Sequence, residues 1–142
     1  MFFSKFFKTK KPETLKTAVL PNLPALNAWA IFFQGCGLTI YSRNAAAVPG
    51  AYDSDCIYLK SYPEVFELER KMHAEWFTTT STSIYLQQWD GNAQSWSLVR
   101  ITFLDIKIST IKNGIKNTGW ASGYENGKSV IVIKGEASIV LE

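Results

Sequence analysis

Apolar and polar residues alternate along much of this chain, and turn-forming pairs cut the alternation into short runs. From Thr78 onward the pattern predicts strands only: Ser83–Trp89, Ser95–Phe103, Ile115–Tyr124, Ser129–Lys134 and Ala137–Leu141. Asp90-Gly91-Asn92 separates the first two. Asn113-Gly114 and Asn126-Gly127 each supply the pair that a two-residue type I′ hairpin requires, because both of its central residues sit at φ > 0. Val99, Ile101 and Phe103 share one strand face, whereas Leu104, Ile106 and Ile108 fall on the opposite parity. A slip of one residue turns every side chain over, so a bulge or bend is expected near Phe103-Leu104.

Earlier in the chain the apolar period changes. Ala28–Gln34 and Leu38–Arg43 are rich in β-formers and predict a hairpin around Gly35-Cys36-Gly37. The alternative is a helix with Asn22 as cap, Pro24 in its first turn and Gly35 at its end. After a loop over Asn44–Asp55, Cys56–Lys60 reads as a short strand. Tyr62–Trp76 then predicts an amphipathic helix. Ser61 and Glu64 match a capping box, Pro63 falls in the first turn, and Val65, Leu68, Met72 and Trp76 recur on one face. The expected fold is α+β: an antiparallel β-meander or curved sheet of about 6–8 strands packed with the helix over 62–76.

Length and charge refine this picture. The chain has 142 residues, enough for one domain, with 46% apolar and 14% aromatic residues. Its net charge of +3 is unevenly placed. Residues 1–16 carry five lysines against Glu13 and so hold +4, which leaves residues 17–142 at −1. The expected division is a basic aromatic tail over 1–16 and a single α+β domain over 17–142. In the tail, Phe2, Phe3, Phe6 and Phe7 recur on one helical face beside Lys5 and Lys8, the composition of a membrane-surface segment. A nearly neutral body argues against nucleic acid, whose binders place their basic excess on a folded face.

Chemistry is sparse. The single histidine, His73, falls in the predicted helix and is expected at its surface. Cys36, Cys56 and His73 lack the close spacing of a zinc site, so neither metal nor cofactor is expected. Asp53 and Asp55 form a D-x-D pair without the glycine and glutamate of a calcium loop. No phosphate-cradling or nucleophile-elbow motif occurs, and the chain is not expected to be an enzyme. The two cysteines suit a reduced, cytoplasmic protein. Export with a Cys36–Cys56 disulfide is the alternative.

The strands also carry Tyr85, Trp89, Trp96, Trp120 and Tyr124. Exposed aromatics of this kind anchor protein interfaces, so these five are the predicted partner contacts. In outline the chain resembles small single-domain bacterial binding and inhibitor proteins, including immunity proteins of toxin systems, which implies a protein partner. Two other functions fit the pattern. One is a membrane-peripheral protein held by the Phe/Lys tail; the other is a small-molecule binder on the concave side of a curved sheet.

Overall fold

The structure is a computed structural model that describes residues 28–45, 56–117 and 119–142. Ten strands and one short helix occur among them. They are β1 (Ala30–Gly35), β2 (Leu38–Asn44), β3 (Cys56–Tyr62), α1 (Phe66–Glu69), β4 (Met72–Thr79), β5 (Ser83–Asp90), β6 (Ser95–Thr102), β7 (Lys107–Ile115), β8 (Trp120–Glu125), β9 (Lys128–Ile133) and β10 (Ile139–Val140). β1 to β7 form a seven-stranded antiparallel meander in sequence order, and β8 to β10 form a three-stranded sheet in the order β10-β9-β8.

The large sheet is curled. β1 and β7 lie at its opposite edges, yet Phe33 of β1 stacks on Phe103 in the β6–β7 turn with ring centroids 5.9 Å apart. Phe33 also meets Phe77 of β4 edge-on at 5.4 Å. A bulge in β1 permits this: the pairing steps from Ile31↔Tyr41 to Phe33↔Ile40, so consecutive phenylalanines, Phe32 and Phe33, both reach the core. The concave face closes on Phe32, Ile40, Leu59, Leu86, Val99 and Ile101. That side, expected as the seat of a small ligand, holds the core instead. α1 adds the buried Val65 and Leu68 to the same cluster. The small sheet lays Ile131, Ile133 and Leu141 over the other face, against Trp89, Trp96 and Leu98. β5 is therefore covered on both sides, and every residue from Ser83 to Trp89 is buried.

The predicted hairpin over 28–43 is present. The predicted helix over 62–76 is not: only Phe66–Glu69 is helical, and Met72–Thr79 is a strand. The Ser61 hydroxyl donates to the Pro63 carbonyl and accepts from the Val65 N–H, so it closes a tight turn before α1. Beyond Arg70, Trp76, Phe77 and the run of threonines favour an extended backbone that pairs with β3 and β5. The fold is mostly antiparallel β-sheet with one short helix.

The two Asn-Gly pairs part company. Asn126-Gly127 makes the expected two-residue turn between paired Glu125 and Lys128, with φ of 54° and 76°. Gly127→Ala is expected to cost about 1–2 kcal/mol through its left-handed backbone, and urea denaturation reads this as a lowered midpoint. Asn113-Gly114 lies inside β7, where the register slips between Trp96↔Ile115 and Leu98↔Lys112. Gly114 at φ 69° serves a β-bulge there, not a hairpin turn. The chain reverses at residues 103–106, the point where the apolar parity flips, and leaves Leu104 98% exposed at the tip.

Candidate functional site

On β2, Leu38, Ile40 and Ser42 turn inward, and Thr39, Tyr41 and Arg43 turn outward by the period of two. On β3, Ile57 and Leu59 are buried, and Tyr58, Lys60 and Tyr62 face out. The register sets Arg43 opposite Tyr58, Tyr41 opposite Lys60 and Thr39 opposite Tyr62. Trp29, just before β1, completes the group. The Arg43 guanidinium lies 5.1 Å from the Trp29 ring centroid and 5.2 Å from that of Tyr58. The Lys60 ammonium lies 4.5 Å from the Trp29 centroid. Each such contact is worth about 0.5–1 kcal/mol near a surface. Tyr62 is 76% exposed and Tyr58 37%. Neither Arg43 nor Lys60 forms an ion pair among the described residues, and none of the outward positions named here is acidic.

The anchors expected from the sequence lie elsewhere. Tyr85, Trp89 and Trp96 are buried beneath the small sheet and cannot serve as surface contacts; this corrects the expectation that they are exposed. Their cause is β5 and β6, which are covered on both faces. Trp89 and Trp96 pack edge-to-face at 5.0 Å. Trp120 is half-buried, packs against Trp76 at 6.2 Å and donates its indole N–H to the Asn117 carbonyl. Tyr124 is 75% exposed and borders an open groove of about 700 Å³ between the β4–β5 turn and the small sheet, shared with Thr79, Ser81 and Lys128. Phe2, Phe3, Phe6, Phe7, Lys5 and Lys8 lie outside the described residues, as do Asp53 and Asp55. Sequence reasoning missed the Trp29–Arg43–Tyr58 group. The available signal was the i, i+2 spacing of Tyr41 with Arg43 and of Tyr58, Lys60 and Tyr62 on adjacent strands.

His73 is not on a helix surface. It sits on β4, fully buried, opposite Ile57 and Gln88. Gln88 Nε2 lies 3.1 Å from His73 Nε2, so the amide donates and Nδ1 carries the ring proton. Burial lowers the His73 pKa from 6.5 to about 3; the Lys71 backbone opposes the shift without reaching good hydrogen-bond geometry at Nδ1, and the Lys71 charge adds to it. The ring is a neutral structural group held by an amide.

Cys36 is exposed, Cys56 is buried, and no disulfide joins them. Cys36 occupies the β1–β2 turn, near the Tyr62 end of β3, and Cys56 begins that strand. Six residues of strand, about 20 Å, separate those ends. That span is too long for a disulfide, which corrects the exported alternative with a Cys36–Cys56 bond. No group of three His, Cys, Asp or Glu side chains among the described residues is placed to hold a metal ion. No helix among them is long and apolar enough to cross a membrane. No family model, curated protein or solved structure matches the chain.

Proposed function

We propose that the protein is a non-enzymatic protein-binding module that presents the outer face of β1–β3 to its partner. The observation that carries this reading is the gathering of Trp29, Tyr58, Tyr62 and Arg43 on one strand surface. Trp, Tyr and Arg supply most of the binding energy at protein interfaces, because they bury large area at modest entropic cost. The rings are also held in place before any partner arrives, since Arg43 and Lys60 brace them, and such preorganisation lowers the cost of association. A cytoplasmic inhibitor- or immunity-like role is the setting this reading expects.

The test is the double variant Tyr58→Ala/Tyr62→Ala. Both side chains point away from the concave core, so its circular dichroism and melting are expected to match wild type closely. Binding to a partner isolated from the native host is expected to weaken at least tenfold in calorimetry, about 1.4 kcal/mol. A folded double variant that binds within twofold of wild type removes the proposal.

A further inference from the structure

We infer that Arg43 and Lys60, seated on the rings of Trp29 and Tyr58, form a preformed carboxylate-binding site whose occupant is an acidic segment of the partner protein. The inference rests on reading this face as the partner interface. Three observations lead to it.

The first is unmatched charge. Two cations share one indole ring, at 5.1 Å and 4.5 Å from its centroid, with no carboxylate paired to either among the described residues. Both cations therefore present positive charge around one ring, and an incoming acidic segment meets it with carboxylates of opposite sign. The second is the state of the guanidinium. Its Nε is buried and has no hydrogen-bond partner among the described residues. Folding has already stripped part of its water, which lowers the desolvation cost of a later ion pair. A guanidinium lying against ring faces keeps its terminal N–H groups in its own plane, the arrangement that grips a carboxylate with two parallel hydrogen bonds.

The third observation chooses between anions. A single-stranded nucleic acid would also bring negative charge, but it binds by stacking bases on open aromatic faces. Here Trp29 and Tyr58 are already engaged by cations. Tyr62 alone stays broadly open, which is too little platform for a run of bases. An extended acidic peptide needs no stacking surface. Its carboxylates meet Arg43 and Lys60, and its apolar stems lie over Tyr58 and Tyr62.

The experiment is a fluorescence-anisotropy titration of the intact protein with three labelled probes of equal length: a Glu-rich peptide, its Gln counterpart and oligothymidylate. The Glu peptide is expected to bind at least tenfold more tightly than the Gln peptide. That affinity is expected to fall several-fold as added salt shortens the screening length. Arg43→Gln and Lys60→Gln are each expected to weaken it several-fold, and Arg43→Lys is expected not to restore it, because the fork is lost. Equal binding of the Glu and Gln peptides, tighter binding of oligothymidylate, or indifference to both Gln variants each overturns the inference. Should it fail while the isolated partner still depends on Tyr58 and Tyr62, the interface stands and only its acidic occupant is withdrawn. Lys60→Gln keeps the test decisive if Arg43→Gln proves poorly folded.

Discussion

Trp96→Ala is expected to destabilise the protein by about 3–5 kcal/mol, a large share of the 5–15 kcal/mol that holds a domain together. Trp96 has no exposed surface. It packs edge-to-face on Trp89, pairs across to Ile115 of β7 and belongs to the cluster that the small sheet covers. Truncation therefore opens a cavity between two sheets, where neither can collapse without losing its own pairing. The indole N–H has no hydrogen-bond partner among the described residues, so the loss is one of packing. Trp96→Phe, which keeps an aromatic ring and removes that orphan donor, is expected to cost much less than Trp96→Ala. Tyr124→Ala, at an exposed turn-proximal site, is expected to stay within about 0.5 kcal/mol of wild type. Urea denaturation of the three variants checks the ordering. A Trp96→Ala midpoint equal to that of Tyr124→Ala would show that the outer face of β6 is not core.

The same residue shows where the sequence was readable and where it was not. Strand positions came through well, because period-two alternation and turn chemistry are local. The hairpin over 28–43, the Asp90-Gly91-Asn92 turn and the Asn126-Gly127 turn all follow from a few adjacent residues. The parity flip at Leu104 announced a change of direction, and the chain reverses there. Burial did not come through, because it depends on what a second sheet covers. Ser-Ile-Tyr-Leu-Gln-Gln-Trp, residues 83–89, mixes polar and apolar side chains. It reads as a strand with one wet face, yet the small sheet dries that face. Exposed Trp89 and Trp96 were expected for that reason, and the three-stranded sheet that buries them is set by contacts far apart in sequence.

Helix and strand were confused at Met72–Trp76 for a different reason. Val65, Leu68, Met72 and Trp76 fit a helical stripe, but Val65 and Leu68 are buried within or beside one turn of helix and Met72 and Trp76 belong to a strand. A register shift between His73 and Phe77 interrupts the alternation that would have marked β4 as a strand. The Asn113-Gly114 pair fails the same way. Positive φ at the glycine was foreseeable, but the same backbone serves a bulge as well as a turn, and only the pairing with β6 decides between them. The outward group of Trp29, Tyr41, Arg43, Tyr58 and Lys60 stood in the sequence as simple alternation. Its meaning needed the register that sets Arg43 against Tyr58.

Acidification is expected to weaken the protein well before its carboxylates titrate fully, and His73 is the cause. Burial holds the folded-state pKa near 3, against 6.5 for the free side chain. Below pH 6.5 the unfolded chain takes up a proton that the folded chain refuses. Stability is therefore intact above about pH 6.5 and falls as pH drops, by up to about 1.4 kcal/mol per unit, until the folded pKa is reached. Between pH 7 and 5 the loss is about 2 kcal/mol from this one group. His73→Gln cannot titrate and keeps an amide in contact with Gln88, so its stability is expected to change much less over that interval, whatever its absolute value. Urea midpoints at pH 7, 6 and 5 measure the difference. The lone imidazole also gives a direct spectroscopic readout, since no second histidine signal overlaps it. Its ring C–H resonance is expected to stay in the neutral position at pH 5 while the protein remains folded. A resonance that titrates near 6.5 would place His73 in contact with water and remove the buried Gln88 pairing from this account of the fold.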